Sequence, residues 1–238
     1  MLKRPIHGLG TLKVSPGVAD NSRINSLTDG TFAIVLTLLV FSLEMPDLPP
    51  ENVARELPRA LWAMGPDVVS LSIGFVVVGI YWVGHHNLFV HIHRHDRILL
   101  WLNLVFLLFV TLVPFPAGLL VRYRTEQMPV VVFSIVLILA GVMLDMVWLY
   151  ATRQKLVDPT LPGHLVGTIH RRILTGPAIY VLAIGVSFFS VAVATLFFLV
   201  AVAYYILPAG LDLLRHRHLD QRQSVSSSVD STPIEDEP

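Results

Sequence analysis

Residues 23–46 read Arg-Ile-Asn-Ser-Leu-Thr-Asp-Gly-Thr-Phe-Ala-Ile-Val-Leu-Thr-Leu-Leu-Val-Phe-Ser-Leu-Glu-Met-Pro. The 20 residues from Ile24 to Leu43 hold one ionisable group, Asp29. A helix of that length spans about 30 Å, the thickness of a bilayer hydrocarbon core. A carboxylate inside a spanning helix is costly and marks a candidate functional position. The rest of the chain agrees with a membrane setting. Of its 238 residues 54% are hydrophobic and only 14% charged, with a mean hydropathy of +0.66, against about 25% charge in a soluble domain. The fold class is therefore an all-α membrane protein. Seventeen Lys and Arg balance seventeen Asp and Glu, so net charge points to no nucleic acid or acidic partner. The absence of Cys excludes disulfides and thiolate metal sites. Residues 1–20 carry Lys3, Arg4 and Lys13 but no apolar core, so no cleaved signal peptide is expected.

Six segments have the length and apolarity of spans: 24–43, 68–88, 98–120, 130–151, 172–190 and 192–213. The last two abut without a polar loop between Phe189 and Val191, so one long broken helix is the alternative there. With the N-terminus cytoplasmic, thirteen Lys and Arg fall inside and four (Arg55, Arg59, Arg122 and Arg124) outside. That bias sets both termini in the cytoplasm. The acidic 44–67 loop is then extracytoplasmic, and residues 49–62 read as a short interfacial helix with Leu57, Leu61 and Trp62 on its apolar side. The expected organisation is a cytoplasmic segment 1–22, a six-helix domain 23–213 and a Ser-rich, acidic tail 214–238 expected to be disordered.

Chemistry-bearing residues gather at one membrane edge. Arg23 and Asp29 are six apart, about 240° around a helix, and cannot form an i,i+4 pair. Ser26-Leu-Thr-Asp29 also fits a capping box at a helix start. Gly30, Ile34, Thr37 and Phe41 recur at spacings of 4, 3 and 4 and form one stripe, which taken alone reads as helix packing. His85, His86, His91, His93 and His95 crowd eleven residues. His85 and His86 point 100° apart, and no HxxxH pattern aligns several on one face, so a solvated basic loop outweighs a metal or proton-sensing role. His85 and Asn103 lie at the same depth as Asp29. Asp145, in the fourth span, is expected to pair with Arg153 or Arg172, and Val113-Pro114-Phe115-Pro116 marks a kink or a terminus. No P-loop, GxGxxG, GxSxG or HExxH is present, and no inverted repeat, so neither an enzyme nor a midplane substrate site is expected.

Several of these stretches resemble one family. Arg23-x-x-x-Leu27-Thr28-Asp29 is similar to the Arg-x-x-x-Phe-Ser-Asp signature that opens the first helix of the transmembrane protein 175 family, endolysosomal-type potassium channels with prokaryotic members. Tyr81-Trp82-x-x-His85-His86, Leu100-Trp101-Leu102-Asn103 and Pro114-Phe115-Pro116 resemble its second and third helices. The resemblance covers about residues 20–120. It implies six spans per subunit, a homotetramer in the lipid bilayer of the plasma membrane, and a pore lined by the first helices. Carried over by distance from Asp29, it implies a hydrophobic constriction at Ile34, a hydroxyl layer at Thr37 and an outer apolar ring at Phe41. Arg23, Thr28 and Asp29 would join Trp82, His85 and Asn103 in a bracing polar cluster. Leu27 and Thr28 stand where the family has Phe and Ser, and Phe41 is bulkier than an aliphatic ring residue. The implied function is a potassium-permeable channel that needs no cofactor beyond the permeant ion. The alternatives are a proton-coupled or metal transporter built on Asp29, Asp145 and the 85–95 histidines, and a non-conducting scaffold.

Overall fold

Long charge-free runs become long helices. The computed structural model describes residues 21–206. In chain order these form α1 (Ser22–Leu38), a 3-10 turn (Leu39–Ser42), α2 (Val53–Ala63), α3 (Gly65–His91), α4 (Arg97–Leu112), α5 (Pro114–Arg122), α6 (Gln127–Arg153) and α7 (Gly163–Ser187), followed by α8 (Val191–Ile206). The described residues contain no strand beyond one isolated bridge, Ile92 to Val157. Among the described residues four segments are long and apolar enough to cross a membrane: Ser22–Ser42, Gly65–His91, Arg97–Arg122 and Gln127–Arg153. The N-terminal segment up to residue 20, the tail 214–238 and the end of the sixth expected span lie outside the described residues.

α6 is the centre of the bundle, packed between α4 and α7. Its buried residues Val130, Phe133, Leu137, Ala140, Leu144, Val147 and Ala151 alternate in steps of three and four, the spacing that keeps one seam against a partner helix. Small residues set the closest approach. A Cβ on Gly141 would lie 2.5 Å from Cγ of Pro177 on α7 and 3.2 Å from the Tyr81 hydroxyl, a hydroxyl that donates to the Leu137 carbonyl at 2.6 Å. The pyrrolidine ring is fixed in its helix and cannot yield as a flexible side chain does. Gly141→Ala is therefore expected to lower stability by about 1–3 kcal/mol. Gly79→Ala, where nothing lies within 4 Å, should be neutral or stabilising by up to about 1 kcal/mol. Thermal unfolding of the two purified variants makes the comparison.

The bundle has two chemically different ends. At one, the Asn21 amide donates to the Ile92 carbonyl at 2.5 Å and its Oδ1 lies 2.8 Å from His95 Nδ1. His93 N–H donates to Leu156 O, and Asp158 N–H to His91 O. Asp96 caps α4 through the Leu99 amide at 2.8 Å and accepts from the Tyr150 hydroxyl at 2.6 Å. Burial pulls the Asp96 carboxyl upward, but these bonds outweigh it and hold it below its usual range. The cap therefore persists above ordinary carboxylate pKa values and is lost only as pH falls through the lowered one. At the other end Arg122 pairs with Glu44, and Arg124 with Asp67 at 3.2 Å. Arg23, Arg94, Arg97, Arg153 and Lys155 belong to the first end, while Glu44, Asp47, Glu51 and Asp67 belong to the second.

Several expectations are corrected. α1 starts at Ser22, not near Ser26, because Asn21 ties the chain to the 92–95 loop before the capping box is reached. Val113-Pro114 is a kink rather than a terminus, since the helix resumes as α5. α7 begins at Gly163, nine residues before the expected span. The 187–191 junction is a tight turn, with Phe189 and Ser190 N–H both on Val186 O. α8 then folds back along α7, bringing Phe198 against Tyr180 and Tyr205 to the α7 backbone, which rules out one long broken helix. Asp145 meets neither Arg153 nor Arg172. Its Oδ1 lies 2.7 Å from His170 Nδ1 on α7.

Candidate pore face and polar brace

α1 carries two faces. Ile24, Thr28, Phe32, Val35 and Leu39 are buried in the subunit, at steps of 4, 4, 3 and 4. The opposite face is uncovered. Ile34 is 61% exposed and Phe41 78%, and Gly30, Ala33 and Thr37 are exposed between them. The stripe anticipated from spacing is thus not a packing seam within the subunit. The Thr37 hydroxyl donates to the Ile34 carbonyl at 2.8 Å. Its proton is thereby held by its own helix, and the oxygen lone pairs are left to whatever passes this face.

Ile34 and Thr37 share α-helical geometry. Phe41 does not, because it lies in the 3-10 turn Leu39–Ser42. A 3-10 helix advances by about 120° per residue against 100°. Two or three such steps turn Phe41 roughly 40–60° off the line through Ile34 and Thr37. Val40, also exposed at 53%, takes part of the outer face.

Behind the exposed face stands a polar brace joining three helices. Thr28 is six residues after the start of α1, His85 six before the end of α3 and Asn103 six after the start of α4. All three therefore lie about 9 Å from the same end of the bundle. All are 1–2% exposed. His85 Nε2 is 2.9 Å from Asn103 Oδ1, and Asn103 Nδ2 donates to Thr28 Oγ1 at 3.4 Å. In this orientation of the Asn103 amide, Oδ1 accepts from His85 Nε2. The imidazole stacks on Phe89 at 4.2 Å and on Phe106 at 5.6 Å between centroids.

Asp29 stands on the outer side of this brace. It is exposed and accepts from Trp82 Nε1 at 2.8 Å, and Trp82 stacks on His86. So Trp82, His85, Asn103, Thr28 and Asp29 do gather, but Asp29 reaches Trp82 and not His85 or Asn103. Arg23 stays outside the group: it is exposed and makes no ion pair among the described residues. The energetic weight shifts accordingly. Asn103→Leu leaves two buried polar groups unpartnered and should cost about 1–3 kcal/mol for each. Asp29→Ala removes one exposed hydrogen bond and should cost no more than about 1.5 kcal/mol. Asp29→Asn keeps the acceptor and should restore most of it. Unfolding temperatures of the three variants test this order.

Among the described residues no three His, Cys, Asp or Glu converge. His91 is the last residue of α3, and His93 follows the bridged Ile92. Sequence reasoning missed the Asp145–His170 pair, whose partners lie 25 residues apart on separate helices. The one signal was Asp145, an acidic residue in an otherwise apolar run.

Comparison with known proteins places this geometry. A family model described as Endosomal/lysosomal potassium channel TMEM175 matches residues 23–114, the segment holding the exposed α1 stripe and the brace. The chain is 30% identical to a potassium channel of Streptomyces collinus over 191 residues, covering 78% of this chain and 91% of that one. It is 34% identical to the human endosomal/lysosomal proton channel TMEM175 over 93 residues, 37% of this chain and 18% of the relative. A crystal structure of a lysosomal potassium-selective channel TMEM175 homolog from Chamaesiphon minutus superposes with a TM-score of 0.69 at 27% identity, covering 79% of this chain and 97% of the other.

Proposed function

Because the chain belongs to the TMEM175 family, we propose that it is a potassium-permeable cation channel whose pore is lined by the exposed face of α1. The observation that carries the reading is the two-sided character of α1. One face is fully used inside the subunit, and the other presents Ile34 and Thr37 to a partner the subunit does not supply. Four copies around an axis give that face its partner, as a homotetramer. A ring of Ile34 side chains then makes a narrow apolar passage, crossed only by an ion that sheds water, and the Thr37 oxygens one turn outward supply a polar station. Thr28, His85 and Asn103 brace α1 from behind, and Asp29 and Trp82 fix its inner edge. Phe41, turned off the line, takes a lesser part.

In this reading each subunit crosses the plasma membrane six times, with α7 and α8 joining the four apolar spans, and residues 23–213 form the channel domain. The basic end faces the cytoplasm with both termini, since Lys and Arg are retained there. No cofactor is required. The transporter reading is weaker. Asp29 and Asp145 are each held by a separate partner, Trp82 and His170, and among the described residues no three His, Asp or Glu converge.

Potassium flux from purified protein in sealed liposomes tests the function. A channel should carry current that reverses near the potassium Nernst potential and needs no proton gradient. Saturating, proton-coupled uptake would overturn the reading. Orientation is tested with single-cysteine variants, since the sequence has no Cys. Asn52→Cys should react with an impermeant maleimide in intact cells and His93→Cys only after lysis. The reverse pattern would invert the topology.

A further inference from the structure

α2 is the one long described helix with no buried residue. It packs chiefly against the start of α3. Leu57, Leu61 and Trp62 are 36%, 55% and 86% exposed, and with Pro58 they line a shallow open apolar surface. At 100° per residue these four occupy a sector of about 140°. Arg55 and Arg59 fall next to its Trp62 edge, about 20° and 60° beyond it. Among the described residues neither arginine makes an ion pair.

The position of α2 narrows the partner. It is strung between Ser42, where the first span ends, and Gly65, where the next begins. Both are at the end of the bundle that carries the Arg122–Glu44 and Arg124–Asp67 pairs. A helix tethered between two spans at one bilayer face stays within reach of that face. The outward surface of α3 just below it is apolar as well, with Val68, Val69 and Phe75 about half exposed, and this continues the apolar sector of α2 toward the hydrocarbon.

We propose that α2 lies in the interfacial plane of the bilayer, with Leu57, Leu61 and Trp62 among the upper acyl chains and Arg55 and Arg59 on phospholipid phosphates. An apolar sector rimmed by arginine and tryptophan is the amphipathic pattern of an interfacial helix. Arginine suits the phosphate because its planar fork donates in two directions at once. The inference rests on the membrane fold and not on the pore.

The test uses full-length protein in vesicles of equal parts phosphatidylcholine and phosphatidylglycerol. Leu61→Cys and Arg59→Cys are made separately and labelled with an environment-sensitive fluorophore. The Leu61 label should be shielded from aqueous iodide. A lipid nitroxide near the headgroup should quench it about twofold more strongly than one at the chain end, as expected for burial of about 5–10 Å. The Arg59 label should remain open to iodide. In unlabelled-site controls, Arg55→Gln/Arg59→Gln combined with the Leu61 label should reduce shallow quenching in phosphatidylglycerol-containing vesicles toward its value in pure phosphatidylcholine. Three results would overturn the proposal. Equal iodide quenching of both labels would put the helix in water. A Leu61 label reached by neither quencher would mean that protein, such as a second copy, covers the face. Lipid quenching indifferent to headgroup charge and to the two arginines would remove the phosphate contact. None of these bears on potassium flux, so failure here and failure of the channel reading are separate.

Discussion

Ile34→Ala is expected to raise cation flux and lower the preference for potassium over sodium in the same variant. In the proposed tetramer the barrier at a ring of four Ile side chains comes from dehydration and from the poor wetting of an apolar gap. Removing most of each side chain widens the gap and admits water. Each ~1.4 kcal/mol taken off the barrier multiplies flux about tenfold. An ion that keeps more of its water is also less well discriminated. Subunit stability should hardly change, because Ile34 is 61% exposed within the subunit and its truncation opens no internal cavity. Leu39, on the opposite face at 0% exposure, is the control. Leu39→Ala should cost about 2–5 kcal/mol and leave the selectivity of the surviving channels unchanged. Reversal potential under potassium and sodium gradients, with unfolding temperature, separates the two positions. Unchanged selectivity with lost stability in Ile34→Ala would place this side chain in a packed interface and not in the pore. Phe41→Ala, tested in parallel, should have the smaller effect on selectivity because the 3-10 turn rotates it off the stripe.

His170→Ala is expected to be among the most destabilising single changes. Asp145 is 5% exposed, eight residues before the end of α6, and the His170 imidazole is its hydrogen-bond partner. Removing that partner strands a carboxylate in an apolar helix bundle, at a cost of about 3–5 kcal/mol. Asp145→Leu/His170→Leu removes both members and should recover most of the loss, since replacing a whole buried pair by apolar groups is often neutral. Thermal unfolding in detergent measures both. Selectivity should be untouched, because the pair joins α6 to α7, whereas α1 packs on α3 and α4. A His170→Ala protein as stable as the parent would show that Asp145 is satisfied by water.

What could be read from the chain and what could not divides along physical lines. α1, α3 and α6 were legible because charge-free stretches of bilayer length have few alternatives. The shared depth of Asp29, His85 and Asn103 was legible because each lies a fixed number of residues from a loop, and rise per residue converts that count to distance. The start of α7 at Gly163 was not, since hydropathy penalises His170, Arg171 and Arg172 while the helical backbone does not. Asp29 pointed toward a polar partner, yet its choice of Trp82 over His85 depends on the rotation of α3 against α1, which no spacing encodes. The 3-10 turn under Phe41 was invisible for a similar reason. Nothing in Leu-Val-Phe-Ser opposes a further α-helical turn, and the change of pitch is a matter of how the chain leaves the bundle.

The backbone of α7 has a gap that its own residues cannot close. Pro177 has no N–H for the Ile173 carbonyl, and the Gly176 N–H donates to the Tyr205 hydroxyl at 3.0 Å. That hydroxyl in turn donates to the Arg172 carbonyl at 2.7 Å. Tyr205 belongs to α8, so α7 by itself would carry unpaired backbone groups into lipid, where each costs several kcal/mol. Its first half also carries His170, Arg171 and Arg172. The consequence reaches back to biosynthesis. With α7 and α8 as the proposed fifth and sixth spans, the lowest-cost route into the bilayer delays α7 until α8 has emerged from the ribosome, and then delivers the two as one hairpin, already stapled by a single tyrosine.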